Sequence, residues 1–249
     1  MTTLYSETFG NGAPTLLLLH GVGANGGVFK PLIAALKWPG RVIVPDMRGH
    51  GRSPHAGHYG MGHHAADVAS LLKPYEEVHV VGHSMGGAVA LVLANGMYGV
   101  KVTRVSAFGY KIKWTADELA KGEAFATSPV RWFDTRAAAA ERFLKVAGLF
   151  GHMPADDPVV AAGIRDENGK WRLAADNATV RAANTSAHDM ISNTRAPFRL
   201  FCGAKDPMVT VGELREFDKD AFDVEGCGHN VHVEAPAKVA EAVRKFHLQ

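Results

Sequence analysis

Ser84 stands between glycines in Gly82-His83-Ser84-Met85-Gly86. Val78-His79-Val80-Val81, short and β-branched, precedes it. Gly87-Ala88-Val89-Ala90-Leu91-Val92-Leu93-Ala94, small and then helix-favouring, follows. A serine on a sharp turn from strand to helix is a nucleophile elbow, in which a strained backbone leaves the hydroxyl exposed. Side chains at positions 82 and 86 would collide with the neighbouring strand and helix, so both must be tiny. The start of the helix adds free N–H groups and a dipole end that favours developing negative charge. The predicted chemistry is attack by Ser84 on an electrophilic carbon. A glycine-rich turn of another α/β protein is the competing reading, since the chain holds 27 glycines.

A serine hydroxyl needs a base at neutral pH. A histidine base in turn needs a carboxylate to fix its tautomer and stabilise its positive form. Asp206 lies in Gly203-Ala204-Lys205-Asp206-Pro207, just past an apolar run, and His229 ends Gly226-Cys227-Gly228-His229. In a parallel sheet these strand ends share one edge, so groups far apart in sequence converge. The chain order Ser, Asp, His fits such a sheet. His232 is the rival base; it lacks the preceding glycine and is expected to pack or to line the pocket. Asp46 is the rival acid, but its loop reads as a turn-forming structural element. His83 is expected to point away, into the core. The histidines at 50, 55, 58, 63 and 64 lack a fixed ligand spacing and acidic companions, so a solvated loop leading into a helix explains them better than a metal. Gly21-x-Gly23 with Asp46 could imitate a dinucleotide fingerprint but leaves Ser84, Asp206 and His229 unexplained. No metal and no cofactor are expected.

Strands are predicted at 15–19, 41–44, 78–81, 102–108, 198–202 and 221–224. Helices are predicted at 28–36, 62–72 with a stop at Pro74, 87–94, and 236–246 with Pro236 near its first turn. The alternation implies an α/β fold with a mostly parallel central sheet covered by helices on both faces. Residues 110–196 break the rhythm. Thr115-x-x-Glu118 is a capping box; a second helix spans 135–147, closed by Gly148; Asn168-Gly169 marks a hairpin; a further helix covers 178–191. Inserted between two core strands, the segment is expected to leave and re-enter the sheet at one edge, where ligands bind in open α/β folds. The reading is a core of 1–109 and 197–249 carrying an inserted, mostly helical lid, 110–196. Three of the 4 tryptophans, Trp114, Trp132 and Trp171, fall in that lid. If several face the cleft, the pocket is apolar, with Trp132 as the residue chosen to line it.

The chain has 249 residues, 47% hydrophobic and 21% charged, with a formal net charge of +2. Those values suit one large globular α/β domain or a domain with an insertion. The charge is too small to argue for nucleic acid or an anionic membrane surface. The first dozen residues lack the pattern of a signal peptide, and the longest apolar runs are strand-sized. Cys202 and Cys227, each ending a predicted strand, read as buried thiols in a reducing, cytoplasmic compartment, with a disulfide between adjacent strands as the alternative.

Taken together, these residues resemble the α/β-hydrolase family in its lid-bearing, esterase- and lactonase-like branch. The resemblance rests on His20-Gly21, on Asp46-Met47-Arg48-Gly49-His50-Gly51-Arg52-Ser53, on Gly82-His83-Ser84-Met85-Gly86-Gly87, on Gly203-x-x-Asp206, and on Gly228-His229 followed by Glu234-x-Pro236. It covers nearly the whole core; the lid matches no pattern. The resemblance implies Ser84 as nucleophile, His229 as base, Asp206 as the orienting acid, and an oxyanion hole from the backbone N–H groups of Val22 and Met85. It implies hydrolysis of a small hydrophobic carboxylic ester or lactone through an acyl-enzyme. Relatives with the same triad cleave carbon–carbon bonds in diketones, and others sense a small hydrophobic ligand without turnover, so these two readings stay beside it.

Overall fold

The computed structural model describes residues 2–72, 77–183 and 186–249. Seven strands form the main sheet: β1 (Ser6–Phe9), β2 (Thr15–Leu19), β3 (Val42–Pro45), β4 (Val78–His83), β5 (Val102–Phe108), β8 (Phe198–Gly203) and β9 (Phe222–Val224). Their order is β1-β3-β2-β4-β5-β8-β9. β1 pairs antiparallel with β3; every other pairing in this sheet is parallel. A separate hairpin is made by β6 (Ile164–Glu167) and β7 (Lys170–Leu173). The strand β1 has no counterpart in the sequence reading. It is a half-buried edge of mixed polarity, so no continuous apolar run announces it.

The five residues of β2 are all buried, and their side chains alternate between two cores. Leu17 and Leu19 face the cluster that holds Val68 and Val89, from α2 (Met61–Leu72) and α3 (Met85–Leu93). Leu16 and Leu18 face the cluster that holds Leu32 of α1 (Lys30–Leu36) and Val239 of α10 (Pro236–His247). Helices thus cover both faces. The expected stop at Pro74 lies outside the described residues.

The chain steps from β2 to β3 on one side and then to β4 on the other. This reversal puts a crevice beyond the C-terminal ends of β2 and β4, where the outgoing loops diverge. The loop after β2 is Gly21-Val22-Gly23, and the residue after β4 is Ser84.

Between β5 and β8 lie α4 (Ala116–Ala126), α5 (Arg136–Val146), α6 (Pro158–Ala162), the hairpin, a 3₁₀ stretch (Asn177–Ala183) and α7 (Ala187–Ser192). The Thr115 capping box forms as expected. The helix expected over 178–191 does not form as one piece. Its first part is 3₁₀, residues 184–185 lie outside the described residues, and the Ser186 side chain caps a new helix by accepting from the Asp189 N–H.

The segment also fails to leave and re-enter at one edge. β5 and β8 are parallel neighbours, so the chain leaves at the C-terminal edge after Phe108 and must enter at the opposite edge before Phe198. α7 makes that return along the sheet face. Its Ala187, Met190 and Ile191 join the core with α3, and the Arg195 N–H bonds the Ala94 carbonyl beyond α3 at 3.0 Å. Two short helices complete the chain, α8 (Val211–Leu214) and α9 (Val231–Glu234).

Candidate active site

Ser84 has φ 52° and ψ −117°, a conformation that L side chains rarely adopt. The turn that imposes it depends on its two flanking glycines. A Cβ on Gly82 would lie 2.2 Å from the Gly86 carbonyl oxygen, and one on Gly86 2.1 Å from that of Leu19. The fixed turn lifts the Ser84 side chain out of the sheet at the start of α3. There the Met85 N–H has no carbonyl one helical turn behind it to bond.

His229 Nδ1 lies 2.9 Å from Asp206 Oδ2. The other Asp206 oxygen accepts from the Met208 N–H at 2.9 Å. The Asp206 side chain is wholly buried, whereas that of His229 is 20% exposed. A carboxylate can only accept, so Nδ1 carries the proton and the His229 Nε2 lone pair is left for the cavity. The loop carrying His229 is clamped by Glu234, whose two oxygens accept from the N–H groups of Gly228 at 2.7 Å and Asn230 at 3.0 Å.

Ser84, His229, Val22 and Met85 line one cavity of about 450 Å³. That size suits a small-molecule site. Among the described residues no hydrogen bond joins Ser84 Oγ to His229; such contacts often tighten only once a substrate is bound. The rest of the wall is mostly apolar, with Met61, Ala88, Val146, Val180, Met190 and Trp114 among its members.

Two residues chosen from the sequence to line this pocket do not. Trp132 is 46% exposed and borders a different depression, beside Arg172, whose guanidinium lies 6.0 Å from its ring centroid. It sits beyond α4, where the chain runs outward; Trp114, before α4, is the tryptophan in the wall. His232 is wholly buried beneath the site, against Phe29, Phe108 and His83. Neither of its ring nitrogens has a partner, and burial holds it neutral, lowering its pKa to about 3. The short helix Val231–Glu234, just after His229, turns His232 inward.

Several supporting residues had no role in the sequence reading. His83 does not simply point away: its Nε2 donates to the His229 carbonyl at 3.0 Å and its ring packs 4.6 Å from the His229 ring. Burial holds it uncharged. His20 Nδ1 donates to the Gly21 carbonyl at 2.8 Å, and its Nε2 accepts the Met47 N–H at 2.9 Å. It thereby ties the loop after β2 to the loop after β3. Burial lowers its pKa to about 4. Asp46 is the structural element expected of it: its oxygens accept from the N–H groups of Gly26 and Arg52 at 2.8 and 2.9 Å. The only sequence signal for His20 and His83 is a histidine closing an apolar strand, a polar group at a buried position.

The former metal candidates are dispersed. His50 and His64 are buried, His58 and His63 stack on each other at 5.5 Å, and His55 Nε2 bonds the Ala174 carbonyl at 2.8 Å. Cys202 and Cys227 are buried free thiols, and burial pushes the Cys202 thiol up to about 12. Among the described residues no helix is long and apolar enough to cross a membrane.

Comparison with known proteins agrees with this architecture. The model of the Alpha/beta hydrolase family matches residues 16–242. A 2-(acetamidomethylene)succinate hydrolase of Mesorhizobium japonicum is 29% identical over 98% of this chain and 91% of its own. A solved structure of E-2-(acetamidomethylene)succinate hydrolase superposes with a TM-score of 0.83 at 23% identity, covering 100% of this chain and 98% of that one. That superposition speaks to the fold. A pimeloyl-[acyl-carrier protein] methyl ester esterase of Aeromonas hydrophila is 44% identical over 35% of this chain. This chain spans only 34% of that esterase, and 30% of another curated relative.

Proposed function

The chain belongs to the alpha/beta hydrolase family, and from that premise we propose that it is a serine hydrolase cleaving a carboxylic ester or lactone through an acyl-enzyme. One observation carries the reading: the strained Ser84 and the Asp206-held His229 face a common cavity. In this mechanism His229 Nε2 takes the proton of Ser84 as Oγ attacks the acyl carbon. The negative charge that develops on the acyl oxygen is met by the N–H groups of Val22 and Met85. Each such donor is typically worth ~3 kcal/mol in the transition state. Asp206 stabilises the positive His229, which returns the proton to the departing alkoxide. Water, activated by the same histidine, then releases the acid and restores Ser84.

We infer as well that the chain from 110 to the 3₁₀ stretch acts as a lid. Tyr110, Trp114, Val146 and Val180 bring it into the wall around Ser84. α7, by contrast, packs with the core. A cytoplasmic location belongs to the same proposal and rests on the two buried free thiols. The names of the relatives supply the substrate direction, a methyl ester in one case and a succinate derivative in the other.

The test is a panel of chromogenic esters of rising chain length beside a lactone and a diketone. Ester or lactone turnover is expected, with kcat lowered by ~10⁶ in Ser84→Ala. A fluorophosphonate should label wild type at Ser84 and leave the variant unlabelled. Near wild-type turnover by purified Ser84→Ala would end the serine mechanism. Turnover of the diketone alone would move the assignment to carbon–carbon hydrolysis. Tight ligand binding with no turnover would make the protein a sensor.

A further inference from the structure

The charge lining the Ser84 cavity is one-sided. Apart from His229 and His83, its ionisable wall residues are Tyr110, Lys111 and Lys145, and among the described residues no carboxylate lines it. Lys111 follows closely on β5, at the same sheet edge as Ser84 and His229. Its side chain is 13% exposed, against 38% for its partner Glu118. The ammonium lies 4.8 Å from the ring centroid of Trp114, itself part of the wall. Lysine at an apolar surface normally lays its stem down and puts its head in water. Here the head is the enclosed member of the pair, and the carboxylate it meets is the one nearer solvent. An ammonium has three donors, and Glu118 is its one hydrogen-bond acceptor among the described residues.

The adjacent Tyr110 strengthens the case from a separate observation. It is 5% exposed, lines the same cavity, and its hydroxyl has no hydrogen-bond partner among the described residues. A buried hydroxyl without a partner is costly unless a ligand supplies one. Lys145, on α5, adds a second positive charge. The next residue, Val146, packs against the loop after β2: its Cγ1 would lie 2.8 Å from a Cβ on Gly23. Lys145 pairs with Glu141 on its own helix, and both are about half exposed.

We propose that the cavity selects an ester or lactone that carries a free carboxylate away from the scissile bond, with Lys111 as the cation that receives it and Tyr110 as a neighbouring donor. This rests on the serine-hydrolase reading and narrows it to anionic acyl substrates. Glu118, at the solvent side, keeps its contact while the substrate carboxylate takes a remaining donor of Lys111. The apolar wall takes the methylene chain between the two ends.

The decisive experiment compares monomethyl esters of straight-chain dicarboxylic acids, from glutarate to suberate, with neutral methyl esters of matching chain length. The readout is the ratio of kcat/KM, charged over neutral. Wild type should favour the half-ester by ~10-fold or more at its best length, the scale of a charge-assisted hydrogen bond. Lys111→Met should bring the ratio near one, Lys111→Arg should largely keep it, and Tyr110→Phe should lower it in part. Raising the salt concentration should erode the ratio in wild type. A preference for the neutral ester, or a ratio unmoved by Lys111→Met, would overturn the proposal and leave the hydrolase reading standing. Should neither ester nor lactone turn over, the ester- and lactone-hydrolase reading falls, and calorimetry with adipate decides the carboxylate site. Binding by wild type that is lost in Lys111→Met would support it, and no binding, or equal binding, would overturn it.

Discussion

The hydrogen bond from His83 Nε2 to the His229 carbonyl, 3.0 Å long, reaches the base from beneath while Asp206 holds its ring from the side. His83 also packs, tilted, with its ring centroid 5.2 Å from that of Phe108, so its own ring is anchored in the core. We propose that a residue placed this way, at the floor of the cavity, acts by positioning the proposed base His229. His83→Leu is therefore expected to lower kcat ~10-fold or more while moving KM little, since small misplacements of a reacting group are costly. Steady-state kinetics on a short ester decides it; a rise in KM with kcat intact would show that His83 shapes the pocket instead. Ser84, His229 and Asp206, the proposed nucleophile, base and acid, were legible as candidates because each follows a strand in a loop rich in glycine. His83 and His20 were legible as residue types only. Their partners, a carbonyl 146 positions away and an amide 27 away, are fixed by folding.

At the level of elements, the elbow and the proposed lid make different demands. The elbow tolerates no added volume: Gly86→Ala would put a methyl 2.1 Å from backbone that belongs to β2. It is expected to cost at least ~3 kcal/mol, or to prevent folding. Gly122→Ala, in the middle of α4 with nothing within 4 Å, is expected to stabilise by ~0.5–1 kcal/mol. Urea denaturation of the two variants measures both, and equal stability would mean that the elbow is not tight. For the lid, Trp114→Ala is expected to change the preference between short and long esters by ~10-fold, as loss of one large apolar contact does. Trp132→Ala, outside the cavity, is expected to leave chain-length preference within about twofold, inside the small range of surface changes. The opposite ranking in a kcat/KM series would mean that Trp132 folds over the substrate. A capping box and a closing glycine marked two helices of this region, α4 and α5, in the sequence. They could not tell which tryptophan turns inward, because that depends on the direction the chain takes after β5.

On the scale of the whole molecule, the buried histidines couple folding to pH. His20, His50, His232 and His247 are held neutral, with pKa values lowered by burial to about 4, 3, 3 and 3. Below the ordinary value near 6.5 the unfolded chain binds protons that the folded chain refuses. Their contribution to stability is therefore intact at neutral pH and is lost as pH falls through 6.5 toward 3. A single wholly buried histidine lowered from near 6.5 to about 3 corresponds to ~5 kcal/mol at the acid end. His232, with both nitrogens unpartnered among aromatic rings, offers the clean test. His232→Leu is expected to flatten the fall of Tm between pH 7 and 4 relative to wild type. Parallel Tm-against-pH curves would show that His232 titrates normally in the fold.

The sequence by itself determined the mostly parallel sheet, six of its seven strands and the elbow, and it singled out Ser84, Asp206 and His229 as the candidates for the proposed triad. Each of these is local: apolar runs, caps and glycine-bounded turns are set by neighbours along the chain. The tertiary structure decided what depends on layout across the sheet. It added the polar edge strand β1, whose partner lies in β3. It sent the chain after residue 110 over one edge and back to the other through α7, because β5 and β8 run parallel. It put Trp114 rather than Trp132 in the wall and His232 under the floor. Burial and long-range pairing are properties of that layout, and hydrophobic periodicity, which reports only that a face is covered, does not say by what.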